Sequence, residues 1–211
     1  MIFTKTKNFY HASCTALVLS LLAACTTAPT TPAATKAADT LASTSAGTCE
    51  HDRAQLLALD MAQFDQNALG GWRALANQPG CLPAAADLIR DYNAAQAEKS
   101  YLLYWHEAQV RAISGDTTAA TQLFEISYNT SNDDVAWNLY VDATIAFMRQ
   151  DRTALVKAYH AMANLPVPAS MQINQNGKSI TDSWPPNMRV VEDLMACFGQ
   201  QYRIAYQNCK S

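Results

Sequence analysis

Nowhere in the 211 residues do Lys and Arg form a cluster. That absence argues against nucleic acid and anionic lipid headgroups as partners, because both are held by concentrated positive charge. The apolar run Ala16-Leu17-Val18-Leu19-Ser20-Leu21 is too short to cross a bilayer of about 30 Å as a helix. His106-Glu107 begins like a zincin motif, but Val110 stands at the i+4 position where the second His is required. Ser183 has no Gly-x-Ser-x-Gly setting, and Gly70-Gly71 lacks the Lys-Ser/Thr that follows a phosphate-cradling loop. The cysteines are spaced too widely for the paired CxxC of a zinc site. Asp60, Asp65, Asp133, Asp134 and Asp142 offer carboxylates, yet no spacing singles out an acid pair. No catalytic residue, metal or cofactor is assigned on these grounds, and an enzyme has no visible support.

What is present begins at the N-terminus. Lys5 and Lys7 precede the apolar run, and Leu22-Ala23-Ala24-Cys25 follows it. A basic segment, a short apolar core and small residues at a cleavage point make the layout of a secretory signal peptide, 1–24. Cys25 directly after Leu-Ala-Ala resembles the lipobox of bacterial lipoproteins. The resemblance implies a diacylglyceryl thioether on Cys25, cleavage before it, and acylation (palmitate or a similar chain) of the new amino group. Thr26 stands where Asp tends to retain such proteins in the inner membrane, so the resemblance implies the outer membrane, periplasmic face. Attachment would run through the lipid alone.

Residues 25–47 carry this cysteine and a Thr/Ala/Pro/Ser stretch whose one large apolar residue is Leu41. Such a segment buries too little surface to offset its chain entropy and is expected to be a disordered tether. At about 5–6 Å × √n it reaches roughly 25 Å. Residues 48–211 remain as one domain, large enough for its own core. All eighteen acidic residues lie in the mature chain against thirteen of the fifteen basic ones, a net charge of −5.

Four cysteines of that domain, Cys49, Cys81, Cys197 and Cys209, read as two disulfides of an exported protein, with three pairings possible. Proximity in sequence favours Cys49–Cys81 and Cys197–Cys209. The second pair has a consequence. Twelve residues of continuous helix would separate its Cα atoms by about 18 Å, whereas a disulfide needs them within about 7 Å. Either Gly199 breaks the helix and the tail folds back, or these cysteines pair elsewhere.

Apolar residues recur at helical spacing in Leu56/Leu57-Met61-Phe64, Ala85-Leu88/Ile89-Tyr92, Leu155-Ala158/Tyr159-Met162 and Val190/Val191-Leu194/Met195-Phe198. Turn signals fall between them, and Asp116 and Asp151 occupy N-cap positions. Gly80, Gly115 and Gln150 are spaced by 35 residues, which aligns Ala85, Ala120 and Leu155 in one column and Ile89, Phe124 and Tyr159 in another. Glu107 and Arg111 form an i,i+4 pair expected on a solvated face. The segment 101–129 resembles a tetratricopeptide-type repeat through Ala108, Gly115-Asp116, Ala120 and Phe124; 136–165 is a looser copy through Ala143, Asp151, Leu155 and Tyr159. The expected fold is all-α: antiparallel helical hairpins stacked in a tetratricopeptide-like array with capping helices at 50–64 and 188–206. An irregular helical bundle is the alternative. Asn176-Gly177 between Ile173 and Ile180 adds a small β-hairpin signal near 172–181.

In such an array the concave face is lined by recurring positions of each first helix. Here these are Trp105, Gln109 and Ala112, then Trp137, Tyr140 and Thr144. The expectation from the resemblance is an outer-membrane-anchored scaffold that binds another envelope protein or a peptide, with Trp105, Gln109, Trp137, Tyr140 and Thr144 as its groove. If the terminal helix folds into the concavity, the same aromatics are plain core. An envelope hydrolase or cell-wall modifying enzyme, and a structural lipoprotein without a discrete ligand, are the other readings.

Overall fold

A computed structural model describes residues 48–131, 134–168, 184–207 and Cys209. The chain divides into two units, Met1–Ala42 and Ser43–Ser211, and every described residue belongs to the second. Cys25 and its lipobox, the tether over 25–47 and the hairpin signal near 172–181 lie outside the described residues. The second unit is all-α among the described residues. Its helices are α1 (Arg53–Leu57), a π-helical turn (Ala62–Gln66), α2 (Gly71–Ala76), α3 (Leu82–Ala95) and α4 (Tyr101–Ser114). There follow α5 (Thr117–Glu125), α6 (Val135–Met148), α7 (Arg152–Ala163), α8 (Met188–Ala196) and α9 (Tyr202–Gln207). No helix among the described residues is long and apolar enough to cross a membrane.

Local chemistry sets the helix ends. Asp52, Ser100, Asp116, Asp134 and Asp151 each accept a hydrogen bond from the backbone N–H three residues on. Each such cap satisfies an amide that has no partner inside its helix and contributes about 1 kcal/mol. The 35-residue spacing marks three left-handed residues: Gly80 at φ +80°, Gly115 at φ +97° and Gln150 at φ +57°. At Gly115 and Gln150 the geometry repeats. The left-handed residue closes one helix while the next residue's N–H reaches back, Asp116 to the Arg111 carbonyl and Asp151 to that of Ala146. The same aspartate side chain then opens the following helix.

Consecutive helices pack on one another from α2 through α7; α8 lies against α6 and α7, and α9 against α8 and α4. The aligned Ala85, Ala120 and Leu155 are fully buried, as are Ile89 and Phe124, while Tyr159 is half-buried. Two apolar cores result. One gathers Phe64, Trp72, Leu75, Leu88 and Ile89; the other gathers Phe124, Tyr140, Phe147, Leu155 and Leu194. Helix α4 serves both. Leu103 and Val110, two turns apart, enter the first core, and Trp105, Ala108 and Ala112 enter the second.

Both disulfides join the cysteines that are nearest in sequence, with Cα–Cα distances of 5.6 Å for Cys49–Cys81 and 5.9 Å for Cys197–Cys209. Gly199, at φ +91°, lies in the break between α8 and α9 that the second bridge requires. The bridge holds α9 against the body, where Tyr202 packs 6.0 Å from Phe124 and 6.2 Å from Phe147 by ring centroids. A double Cys197→Ser/Cys209→Ser variant should lose about 3 kcal/mol in equilibrium urea unfolding, the value for opening a loop of this length.

Candidate functional site

The expected groove is filled. Trp105 and Tyr140 are each 3 % exposed and Thr144 is fully buried. Trp105 packs by ring centroids 4.6 Å from Tyr140, 4.7 Å from Phe124 and 5.0 Å from Trp137. Trp137 is half-buried, with its indole N–H donating to the Ser127 carbonyl at 2.9 Å. Gln109, also half-buried, donates its amide N–H to the Tyr202 hydroxyl at 3.5 Å. The aromatics of α5 and α6 close on Trp105, and the fold-back after Gly199 closes on Gln109. The fold-back lays α9 on α4, and Tyr202 occupies space that an open stack would leave to a ligand. These five residues are core and core margin, not an exposed binding face.

An open cleft lies elsewhere, between α6 and α7. It encloses about 320 Å³ over an apolar floor that includes Leu139, Ile145, Ala146 and Ala158. Its rim carries both charges, Asp142 and Asp151 against Arg149 and Lys157. The Tyr128 hydroxyl donates to Asp142 at 2.6 Å, and Arg149 pairs with Glu125 at 2.6 Å. Burial and the Asp142 carboxylate push the Tyr128 phenol well above its ordinary range, so it stays a neutral donor.

A second arrangement joins residues that the sequence keeps 41 positions apart. Asp65 sits in the π-helical turn and is fully buried. Its Oδ1 accepts from His106 Nδ1 at 2.7 Å and from the Trp72 indole N–H at 2.9 Å. The Gln66 amide donates to Oδ2. Arg73 donates from Nη1 to the Asp65 carbonyl, lies 3.6 Å from Oδ1, and stacks 4.1 Å over the Trp72 ring.

Placing this carboxylate takes unusual backbone. Phe64, its neighbour in the π-turn, stacks on Tyr92 at 3.6 Å, and the Tyr92 hydroxyl donates to the Leu59 carbonyl at 2.9 Å. Gly71 opens α2 at φ +53°, so close to the turn that a Cβ would stand 1.9 Å from the Phe64 carbonyl oxygen. Only glycine fits there. The sequence signals a break at Gly70-Gly71, and the structure shows that its use is this close approach rather than a phosphate cradle.

Burial by itself raises the Asp65 pKa. The hydrogen bond and charge of His106, the Trp72 donor and the Arg73 cation outweigh it, and the carboxyl lies below its ordinary value of 3.8. The carboxylate is therefore ionised at neutral pH, and the proton between the two groups resides on His106 Nδ1. Whenever the ring is neutral with its proton on Nδ1, its lone pair is on Nε2. No described residue bonds to Nε2, and the side chain keeps 14 % of its surface exposed.

Next to His106, Glu107 departs from expectation. It is 3 % exposed rather than solvated, gripped by Arg111 at 2.7 Å, while Arg111 also reaches Asp87 at 2.9 Å. Burial outweighs these partners and raises the Glu107 pKa above its ordinary value of 4.5. Of the remaining histidines, His51 and His160 are exposed and neither meets a carboxylate. Of the remaining aspartates, Asp60 caps the π-turn through the Gln63 N–H, Asp134 caps α6, and Asp133 lies outside the described residues.

Two expectations follow. Stability contributed by Asp65 is present above pH 3.8 and is lost as pH falls below it; the Glu107 contribution is present below pH 4.5 and is lost as pH rises through its raised value. Urea unfolding between pH 2.5 and 7 should therefore show a shallower acid limb for Asp65→Asn and a smaller decline above pH 4.5 for Glu107→Gln. The Thr144 hydroxyl is buried and has no hydrogen-bond partner among the described residues, so Thr144→Val should raise stability by about 1 kcal/mol. No family model, curated protein or solved structure matches this chain.

Proposed function

We propose that the protein is a lipoprotein of the bacterial outer membrane, anchored through Cys25 on the periplasmic face, whose helical domain binds a segment of another envelope protein or a peptide. The observation that carries the binding reading is the cleft between α6 and α7, an apolar floor within a rim of both charges. Apolar side chains of an extended or helical segment would fill the floor, and the rim would fix its register. Two disulfides in the domain fit an oxidising compartment. The Leu22-Ala23-Ala24-Cys25 motif supports the anchor. The 35-residue spacing of the left-handed residues supports a tetratricopeptide-like array. Catalysis has no part in this reading. The anchor's role is to hold the binding domain within reach of its partner.

Two measurements test it. Fractionation with labelled palmitate should find the wild type acylated in membranes and Cys25→Ser unacylated and soluble; an unacylated wild type would sink the anchor. A photo-cross-linking residue at Lys157, which is exposed on the cleft rim, should capture one discrete envelope protein or peptide. Ala161→Trp, which fills the cleft from an exposed position, should abolish that adduct without lowering the melting temperature. An adduct that survives the substitution rules out the cleft.

A further inference from the structure

We infer that Asp65 and His106 form a proton-transfer centre that hydrolyses carboxylic esters, with water as the nucleophile and Arg73 as the cation facing the carbonyl oxygen. The inference rests on how the carboxylate is used. A purely structural buried aspartate is best served by a full ion pair with the nearest arginine. Here the Arg73 guanidinium stays 3.6 Å from Oδ1 while the imidazole takes the short contact at 2.7 Å. Trp72 donates to the same oxygen, so Oδ1 is fixed in position behind the ring. This is the base-and-orienter half of the nucleophile–base–orienter arrangement: a carboxylate holds Nδ1–H, and the basic Nε2 is left to act.

Two rare backbone features lie within seven residues of each other, the π-turn and the left-handed Gly71, and both serve to place this one side chain. Such features cluster where a side chain must be aimed for use. Arg73 completes the centre. Only Nη1 is engaged by Asp65, and the stack on Trp72 fixes the plane of the guanidinium. Nη2 and Nε carry no hydrogen bond to any described residue, so they remain as donors on the residue that shares Asp65 Oδ1 with the imidazole.

No described Ser, Thr or Cys contacts Nε2, so water is the group to be activated. His106 Nε2 takes a proton from water as the water oxygen bonds to the ester carbonyl carbon. The carbonyl π pair moves onto oxygen, toward Arg73. Collapse of the tetrahedral adduct breaks the carbon–oxygen bond to the alcohol, and the imidazolium returns its proton to the departing alkoxide. The products are an alcohol and a carboxylic acid, which ionises in solvent. The same imidazolium serves as base and then as acid, so esters, whose alkoxide leaves more readily than an amine, are the substrates on which the centre is tested.

The experiment uses the purified oxidised chain and p-nitrophenyl esters from acetate to octanoate at pH 7.5. Wild type should hydrolyse at least one ester well above the buffer rate, and His106→Gln should lower kcat/KM by about 100-fold in protein shown to be folded by circular dichroism. The Gln amide can still donate to the buried Asp65 carboxylate that His106 contacts at 2.7 Å, and Arg73→Gln and Asp65→Asn test the centre independently. Arg73→Gln should lower kcat with little effect on KM. For Asp65, a positioning residue, the readout is the pH profile: the acid limb of kcat/KM, which reports protonation of the base, should move to lower pH in Asp65→Asn because the carboxylate that favours the imidazolium is gone. The exposed pair His51→Gln/His160→Gln controls for adventitious imidazole reactivity and should leave the rate unchanged. Buffer-level hydrolysis of every ester by wild type, or a His106→Gln rate equal to wild type, overturns the inference. Neither result bears on the cleft between α6 and α7.

Discussion

The buried carboxylate of Asp65 dictates the shape of the whole N-terminal half. An ion taken out of water costs several kcal/mol unless its lone pairs are met. Here they are met from three elements at once: Gln66 in the π-turn, Trp72 and Arg73 at the start of α2, and His106 in the second turn of α4. For all to converge, α2 must begin hard against the π-turn, which forces glycine at position 71. Phe64 must then turn the other way, into the first core, where it meets Tyr92. A single polar group thus sets the register of α2 on the π-turn and of both on α4.

Helix α4 transmits that constraint to the rest of the domain. Leu103 and Val110 lie in one core, and Trp105, Ala108 and Ala112 in the other. Its remaining surface is occupied by His106 on Asp65 and Glu107 on Arg111, and by Gln109 against Tyr202 of α9. A helix contacted on all sides has no freedom to rotate or slide. The small side chains of Ala108 and Ala112 let neighbouring helices approach closely, and the aromatics of α6 and α9 fill what remains. The cleft between α6 and α7 lies outside this set of contacts, where the floor alanines leave volume unfilled.

Local features of the sequence were legible because local chemistry decides them. The N-caps at Asp116 and Asp151, the left-handed residues spaced by 35 and the buried Ala85, Ala120 and Leu155 all follow from backbone hydrogen bonding and helical period. The break at Gly199 followed from chain length alone, because a bridge across twelve residues cannot span a straight helix. What sequence could not disclose was direction and partnership. Trp105, Trp137 and Tyr140 have the same pattern whether they face a groove or one another, and only the packing of α4 on α5 and α6 makes them core and core margin. Glu107–Arg111 reads as a surface pair by spacing, yet a residue one position from His106 and three from Val110 cannot avoid the interior when both faces of α4 are packed. Asp65 was one of five undistinguished acids, because its partner imidazole is 41 residues away. The one local hint was Trp72, an indole donor seven residues on, beside a double glycine.

The strain around Asp65 persists because stronger contacts determine it from outside. Gly71 avoids the side-chain clash but still fixes an uncommon backbone, and the π-turn gives up regular helical hydrogen bonds. Against these costs, of order 1–3 kcal/mol each, stand the Phe64–Tyr92 stack and the Tyr92–Leu59 hydrogen bond. The Cys49–Cys81 bridge also ties the segment ahead of α1 to the start of α3. The stack acts on Asp65 through the chain, because Phe64 is its neighbour in the π-turn, and Tyr92 lies near enough to feel the Asp65 charge. By holding the strained backbone next to Asp65, these contacts keep its carboxylate aimed at an imidazole that retains 14 % of its surface exposed. The result is a ring whose Nδ1 is fixed by a buried carboxylate while Nε2 bonds to no described residue, which neither core packing nor helix capping requires.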